Sequence, residues 1–284
     1  MSALAYQGSA AAAAVIMSHS LRSKKVIFVE GPSDGRLLNS LLGNSAVEPI
    51  PAKGAYGVIQ ALDQIAEHNA KGKDIVTAIG FIDQDYLVLR DVKCILDRSD
   101  IVTTFYRDIE IDLFHTSCTR RLLEEKGGSG KWSNEADVVS GILRSLHKFS
   151  LLRAYNAVNT KSWSFQGIDL DRYVSTSGIV DEAKLFSAFR QQNHIKDKDW
   201  SDFEQWAISV ELCPKSVARG HDVALTFGKM LRKALGNRAK HEVAAEVVEE
   251  NLRLAAERRF IEAYNWFKKL LDWIGVRDAV SKLM

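Results

Sequence analysis

Lys25-Val26-Ile27-Phe28-Val29-Glu30-Gly31-Pro32-Ser33-Asp34-Gly35-Arg36-Leu37-Leu38 is the stretch whose reading decides the fold. Four apolar residues in succession read as a buried strand. A carboxylate ends it, Gly31-Pro32 turns the chain, and Leu37, Leu38, Leu41 and Leu42 then recur at helical spacing until Gly43-Asn44 stops the helix. The layout returns at Ile75-Val76-Thr77-Ala78-Ile79-Gly80-Phe81-Ile82, a strand that starts near Asp74 and runs into Asp83-Gln84-Asp85. Ligands of an open α/β sheet gather outside the carboxyl ends of its strands. Two neighbouring strands ending in this way aim three or four carboxylates at one point. Like charges that close call for a cation between them, and Mg²⁺ or Mn²⁺ is the expected one.

Residues 46–52 read as a short strand whose two prolines place it near an edge. Lys53-Gly54-Ala55-Tyr56-Gly57 is a turn, followed by a helix with Val58, Ile59, Leu62, Ile65 and Ala66 on one face and closed by Lys71-Gly72-Lys73. Strand and helix therefore alternate, the pattern of a parallel sheet covered on both faces. A further β-rich run, 100–106, precedes Arg107-Asp108-Ile109-Glu110-Ile111-Asp112. Extended backbone would put Asp108, Glu110 and Asp112 on one face, whereas a helix would spread them over most of a turn.

Beyond Cys118 the character changes. Lys126-Gly127-Gly128-Ser129-Gly130-Lys131 reads as a flexible break. Helical patterning then dominates at 135–149, 181–192, 199–212, 222–235, 242–256 and 259–274. The expected fold class is α/β: a small parallel-sheet module at 24–117, after an Ala-rich leader at 1–23, followed by a mainly helical part at 118–284.

A formal net charge of +2 over 284 residues carries no global signature of nucleic-acid binding, so any such surface is local. Lys229, Arg232, Lys233, Arg238, Lys240 and His241 cluster in the helical part. Arg258-Arg259 and Lys268-Lys269 follow, with Tyr264, Trp266 and Phe267 among them. Such mixtures suit phosphate contact and base stacking, and equally a helix with a solvated cationic face. Cys94, Cys118 and Cys213 form neither a zinc spacing nor a disulfide framework, which fits a reducing cytoplasm. The Ala-rich run 3–17 has no charged stretch ahead of it and is too short to span a bilayer. It reads as a frayed leader or a packing helix, and no other segment is a membrane-span candidate.

Val29-Glu30-Gly31-Pro32-Ser33-Asp34, followed by Asp83-Gln84-Asp85 after an apolar strand, resembles the TOPRIM domain of topoisomerases, bacterial primases and OLD-family nucleases. That family carries a Glu after its first strand, matched by Glu30, and an Asp-x-Asp after a later one, matched by Asp83 and Asp85. Glu30-x-x-x-Asp34 is similar to the extra acidic position of the OLD branch. The wider layout resembles the stand-alone TOPRIM nuclease subunits of PARIS-type phage-defence systems. Their acidic segment after a further strand corresponds to 106–113, and their Gly-His-Asp to Gly220-His221-Asp222. The resemblance runs from Lys25 to about Leu235. It departs from topoisomerases, whose strand-passage machinery is missing, and from primases, whose zinc module these cysteines cannot supply.

The resemblance implies a Mg²⁺- or Mn²⁺-dependent nuclease acting on DNA or RNA, tRNA included, as the toxic effector of an anti-phage system. It implies a homodimer and an ATPase partner subunit, because the chain has no P-loop: Gly127-Gly128-Ser129-Gly130-Lys131 is too short, and Trp132 follows the lysine. Glu30, Asp83 and Asp85 would hold the metal, with Glu30 as ligand or general base. Asp34 and Glu110 would complete a second site, and His221 would polarise a phosphate or stabilise the departing alkoxide. Arg36, Lys53 and Arg107 lie near loops of the same rim, where a scissile phosphate would meet them.

Each of these residues has a plainer reading. Asp34 N-caps a helix, Asp222 caps another, His221 is a hydrogen-bonded structural histidine, and the Glu110 segment is ordinary polar alternation. Two other functions fit the motifs. One is a haloacid-dehalogenase-type phosphatase built on Phe81-Ile82-Asp83-Gln84-Asp85, although Leu87 stands where that family has Thr or Val, and Glu30 goes unused. The other is a non-catalytic TOPRIM-shaped module that regulates an ATPase.

Overall fold

The apolar runs around Val26 and Ile79 form the two central strands of a four-stranded, all-parallel sheet of order β2-β1-β3-β4. The computed structural model describes residues 5–43, 45–72 and 75–275. Asn44, Lys73 and Asp74, assigned above to element ends, lie outside them, as do 1–4 and 276–284. The strands are β1 (Lys25–Val29), β2 (Val47–Pro51), β3 (Thr77–Ile82) and β4 (Ile101–Thr103). Val29 stands level with Pro51 on one side and Phe81 on the other, so β1 and β3 end together. Val26, Ile27, Phe28 and Val29 are all fully buried, as a strand covered on both faces requires. The prolines of β2 are tolerated because it is an edge strand.

The helix after β1 spans Pro32–Leu42, beginning five residues before Leu37, the first leucine of the pattern. Pro32 occupies its first turn, where a missing N–H costs nothing, and the αL residue Gly43 closes it. The helix Ala55–Ala70 begins tight against the end of β2. A Cβ on Gly57 would lie 1.7 Å from the Ala52 carbonyl oxygen, so only glycine fits there. The Ala-rich run forms a helix, Ala5–Met17, that packs on Ala55–Ala70 and buries Ala12 and Val15.

The contacts divide the chain into two units: 1–84, 92–105 and 256–284 in the first, 85–91 and 106–255 in the second. The division thus differs from a single cut after residue 117. One reason is that the last helix returns to the sheet, which no local pattern announces. In Asn265–Ile274, Trp266 packs on Phe81 with ring centroids 5.0 Å apart, and Lys25 Nζ donates to the Trp273 carbonyl at 2.9 Å. The 259–274 pattern itself is two helices, Arg258–Ile261 and Asn265–Ile274.

The second unit is helical, so helices dominate the C-terminal part of the chain. It holds the long helix Glu135–Val158, with Glu182–Gln192, Asp197–Ser209, Gly220–Leu231 and Ala245–Ala255. Residues 109–114 are helical rather than extended, because Asp108 caps them. The Gly-rich break is pinned rather than flexible. Gly127 bridges Gly236, Gly128 N–H donates to the Leu235 carbonyl at 2.7 Å, and Lys131 Nζ donates to the Gly236 carbonyl at 2.5 Å. No helix among the described residues is long and apolar enough to cross a membrane.

Candidate functional site

β1 and β3 are where the strand order reverses: β2 lies to one side of β1, and β3 and β4 follow on the other. Chain crossovers leave such a point in opposite directions and open a crevice at its carboxyl end. Glu30 follows the last residue of β1, and Asp83 follows the last residue of β3. The Glu30 carboxylate accepts the Asp83 backbone N–H at 2.8 Å. The Glu30 side chain therefore reaches the backbone of Asp83, fifty-three positions on in sequence, at the switch point. The loop beyond is also held, with the Gln84 N–H donating to Thr104 Oγ1 at 2.9 Å.

Around this pair, Asp34 accepts the Gly31 N–H at 3.0 Å and so closes a capping interaction at the start of its own helix. Lys53 is exposed, with φ of 62°, and Gly54 N–H donates to the Glu30 carbonyl at 2.9 Å. That hydrogen bond fixes the loop entering Ala55–Ala70 beside β1. Arg36 is exposed on Pro32–Leu42.

The remaining candidates belong to the second unit. Asp85 takes the left-handed region, φ 44°, which Asp tolerates better than most residues. Its N–H donates to the Arg107 carbonyl at 2.7 Å, and its carboxylate lies 3.5 Å from Arg107 Nε. Arg107 is buried, not a rim cation. Its guanidinium stacks 4.4 Å from the Tyr86 ring centroid and donates to the Val217 carbonyl at 3.3 Å. Burial pushes the Tyr86 hydroxyl up to about 12, against the opposing pull of Arg107.

Asp108 is buried and joins two helices. One oxygen accepts the Ile111 N–H at 3.1 Å, and the other accepts the Gly220 N–H at 2.8 Å. Glu110, also buried, pairs with Arg253. Burial and the nearby Asp108 charge raise its carboxyl to about 8, although Arg253 opposes the shift. His221 Nδ1 lies 2.9 Å from Glu249, and that hydrogen bond raises the imidazole above its ordinary range. Asp222 caps nothing. It pairs with Arg153 at 2.9 Å, both largely buried.

Sequence reasoning missed Arg153, Glu249 and Arg253. Glu249 and Arg253 are four apart on Ala245–Ala255 and so share a face, the one signal that could have marked them.

Among the described residues no group of three or more His, Cys, Asp or Glu side chains is placed to hold a metal ion. At the sheet end one Glu30 oxygen is committed to the Asp83 N–H, and carboxylate oxygen is the donor type a hard cation takes. Mg²⁺ binds through one or two carboxylates, keeps several waters and completes its shell with substrate phosphates. Compared with protein-family models and with curated proteins, the chain matches none.

Proposed function

We propose that the chain is a Mg²⁺- or Mn²⁺-dependent nuclease of TOPRIM type that hydrolyses phosphodiester bonds in DNA or RNA. One observation carries the reading: the Glu30 carboxylate bonds the Asp83 backbone at the carboxyl ends of β1 and β3, the switch point of a parallel sheet. When bound, the metal supplies charge neutralisation at phosphorus and a water acidic enough to attack it. Glu30 and Asp83 would hold it. The Asp83 N–H fixes one Glu30 oxygen, which orients the other lone pairs of that carboxylate. A role as toxic effector of a phage-defence system, under an ATPase partner and as a homodimer, rests on the same resemblance.

A second reading has its own support. The ties of Asp85 to Arg107 and of Glu110 to Arg253, with no three-ligand group among the described residues, fit a TOPRIM-shaped module that regulates an ATPase without cleaving anything. One experiment separates the two. The full chain and its Glu30→Gln variant are incubated with plasmid, single-stranded DNA and total tRNA, in Mg²⁺, Mn²⁺ or chelator, with and without an ATPase encoded beside it. Metal-dependent cleavage lost in the variant supports the nuclease. Divalent binding without cleavage in any arm supports the regulatory module.

A further inference from the structure

Three cationic side chains of the second unit converge on one carboxylate. Lys229 Nζ lies 3.3 Å and Arg232 Nη1 3.9 Å from one Asp171 oxygen, while Lys240 Nζ lies 3.2 Å from the other. Lys229 also donates to the Asp171 backbone carbonyl. Its side chain is only 13% exposed, so its ammonium is not a freely hydrated surface charge. The spread of distances shows how thinly one carboxylate is divided. Arg232, the farthest, makes no close bidentate pair with it, although a guanidinium is built for one.

These four residues line a cavity of about 170 Å³, to which His221 and Glu246 also contribute. Its wall includes the start of the helix Ala245–Ala255, whose first-turn N–H groups have no partner within the helix. The lining carries three permanent cations against two carboxylates, Asp171 and the exposed Glu246. His221 also lines the cavity, its Nδ1 tied to Glu249 at 2.9 Å. A small concave space lined by three cations against two carboxylates is complementary to a compact anion with several acceptor oxygens.

We infer that this cavity is a phosphate-binding site, with Arg232 and Lys240 closing on the anion and Lys229 and Asp171 forming its floor. The ligand is a tetrahedral phosphate, either a backbone phosphate of a nucleic acid or a free phosphate group. The site needs no divalent ion, and the inference stands apart from the nuclease reading.

The test titrates the full chain, in chelator and at constant ionic strength set with chloride, with inorganic phosphate and separately with a short single-stranded oligonucleotide. Binding is followed by calorimetry and by the rise in thermal midpoint. Wild type should bind saturably, and Arg232→Ala/Lys240→Ala should bind about tenfold or more weakly. Lys240 is 71% exposed, so Lys240→Glu keeps the fold and should weaken binding in the same direction, while Lys240→Arg should restore it. Phosphate binding that the oligonucleotide displaces identifies a backbone phosphate, and phosphate binding alone identifies the free anion. Equal affinities in wild type and the double variant, or no saturable binding of either probe, would overturn the inference.

Discussion

Glu30 accepts the backbone N–H of Asp83 at 2.8 Å, so the ends of two neighbouring parallel strands are joined by a carboxylate rather than by a ladder hydrogen bond. Glu30→Gln keeps an acceptor for that N–H and removes the charge. The variant should therefore keep the wild-type thermal midpoint, while the nuclease proposed above should lose about 10²-fold or more of its metal-dependent cleavage. Glu30→Ala, which also loses the strand tie, should fall as far in cleavage and in addition unfold earlier.

Asp108 serves two helix starts at once, Ile109–Phe114 and Gly220–Leu231. Each lost cap costs about 1–2 kcal/mol, so Asp108→Ala should lower unfolding stability by about 2–4 kcal/mol. Asp108→Asn, which keeps an acceptor for one N–H, should lose about half as much. Urea unfolding of the three proteins measures both differences.

Arg153 and Asp222 form an ion pair withdrawn from water, with side chains 13% and 5% exposed. Removing one partner strands the other charge. Asp222→Ala should cost about 3–5 kcal/mol, and Arg153→Met/Asp222→Leu markedly less than the two single changes added. A double-mutant cycle in denaturant reads the coupling directly.

His115 is held neutral. Burial, and then the Lys215 charge, lower its imidazole to about 4 from an ordinary value of 6.5, and its ring meets the Tyr106 ring with centroids 5.2 Å apart. The unfolded chain takes up the proton first as pH falls. The stability His115 contributes is thus full above pH 6.5 and is lost progressively between 6.5 and 4. The thermal midpoint of His115→Gln should fall less steeply than that of wild type across that window.

Gly57 lets a helix start against strand backbone, since a Cβ there would overlap the Ala52 carbonyl. Gly57→Ala, normally favourable in a helix, should instead destabilise by about 1–3 kcal/mol. Gly141 stands in the helix Glu135–Val158 with nothing within 4 Å of the place a methyl would take, so Gly141→Ala should stabilise by about 0.5–1 kcal/mol. Opposite shifts in midpoint check the contrast.

The sheet was legible because a strand buried on both faces must be apolar throughout, and Val26–Phe28 and Ile79–Ile82 announce that without help from context. The edge position of β2 was legible from its prolines. That Glu30 and Asp83 end neighbouring strands was legible from the apolar runs before them. What stayed hidden depends on distant partners. Asp108, Glu110 and Asp112 alternate as in a strand, yet a capping bond from Asp108 makes the segment helical. Arg107 resembles a loop cation until Tyr86 and Val217 enclose it. The glycines at 127–130 signal freedom, while Leu235 and Gly236, more than a hundred positions on, remove it.

The sheet needs residues from both extremes of the described chain. Trp266 covers Phe81, and the last turn of Asn265–Ile274 is tied to Lys25, the first residue of β1. During translation the ribosome delivers β1 first and this covering helix only after every residue of the second unit. The nascent strands therefore wait with Phe81 uncovered while some two hundred residues emerge, so the acidic crevice reaches its finished form late in synthesis. A nascent chain arrested after residue 255 should expose that apolar face to chaperones, whereas one carried through Gly275 should not.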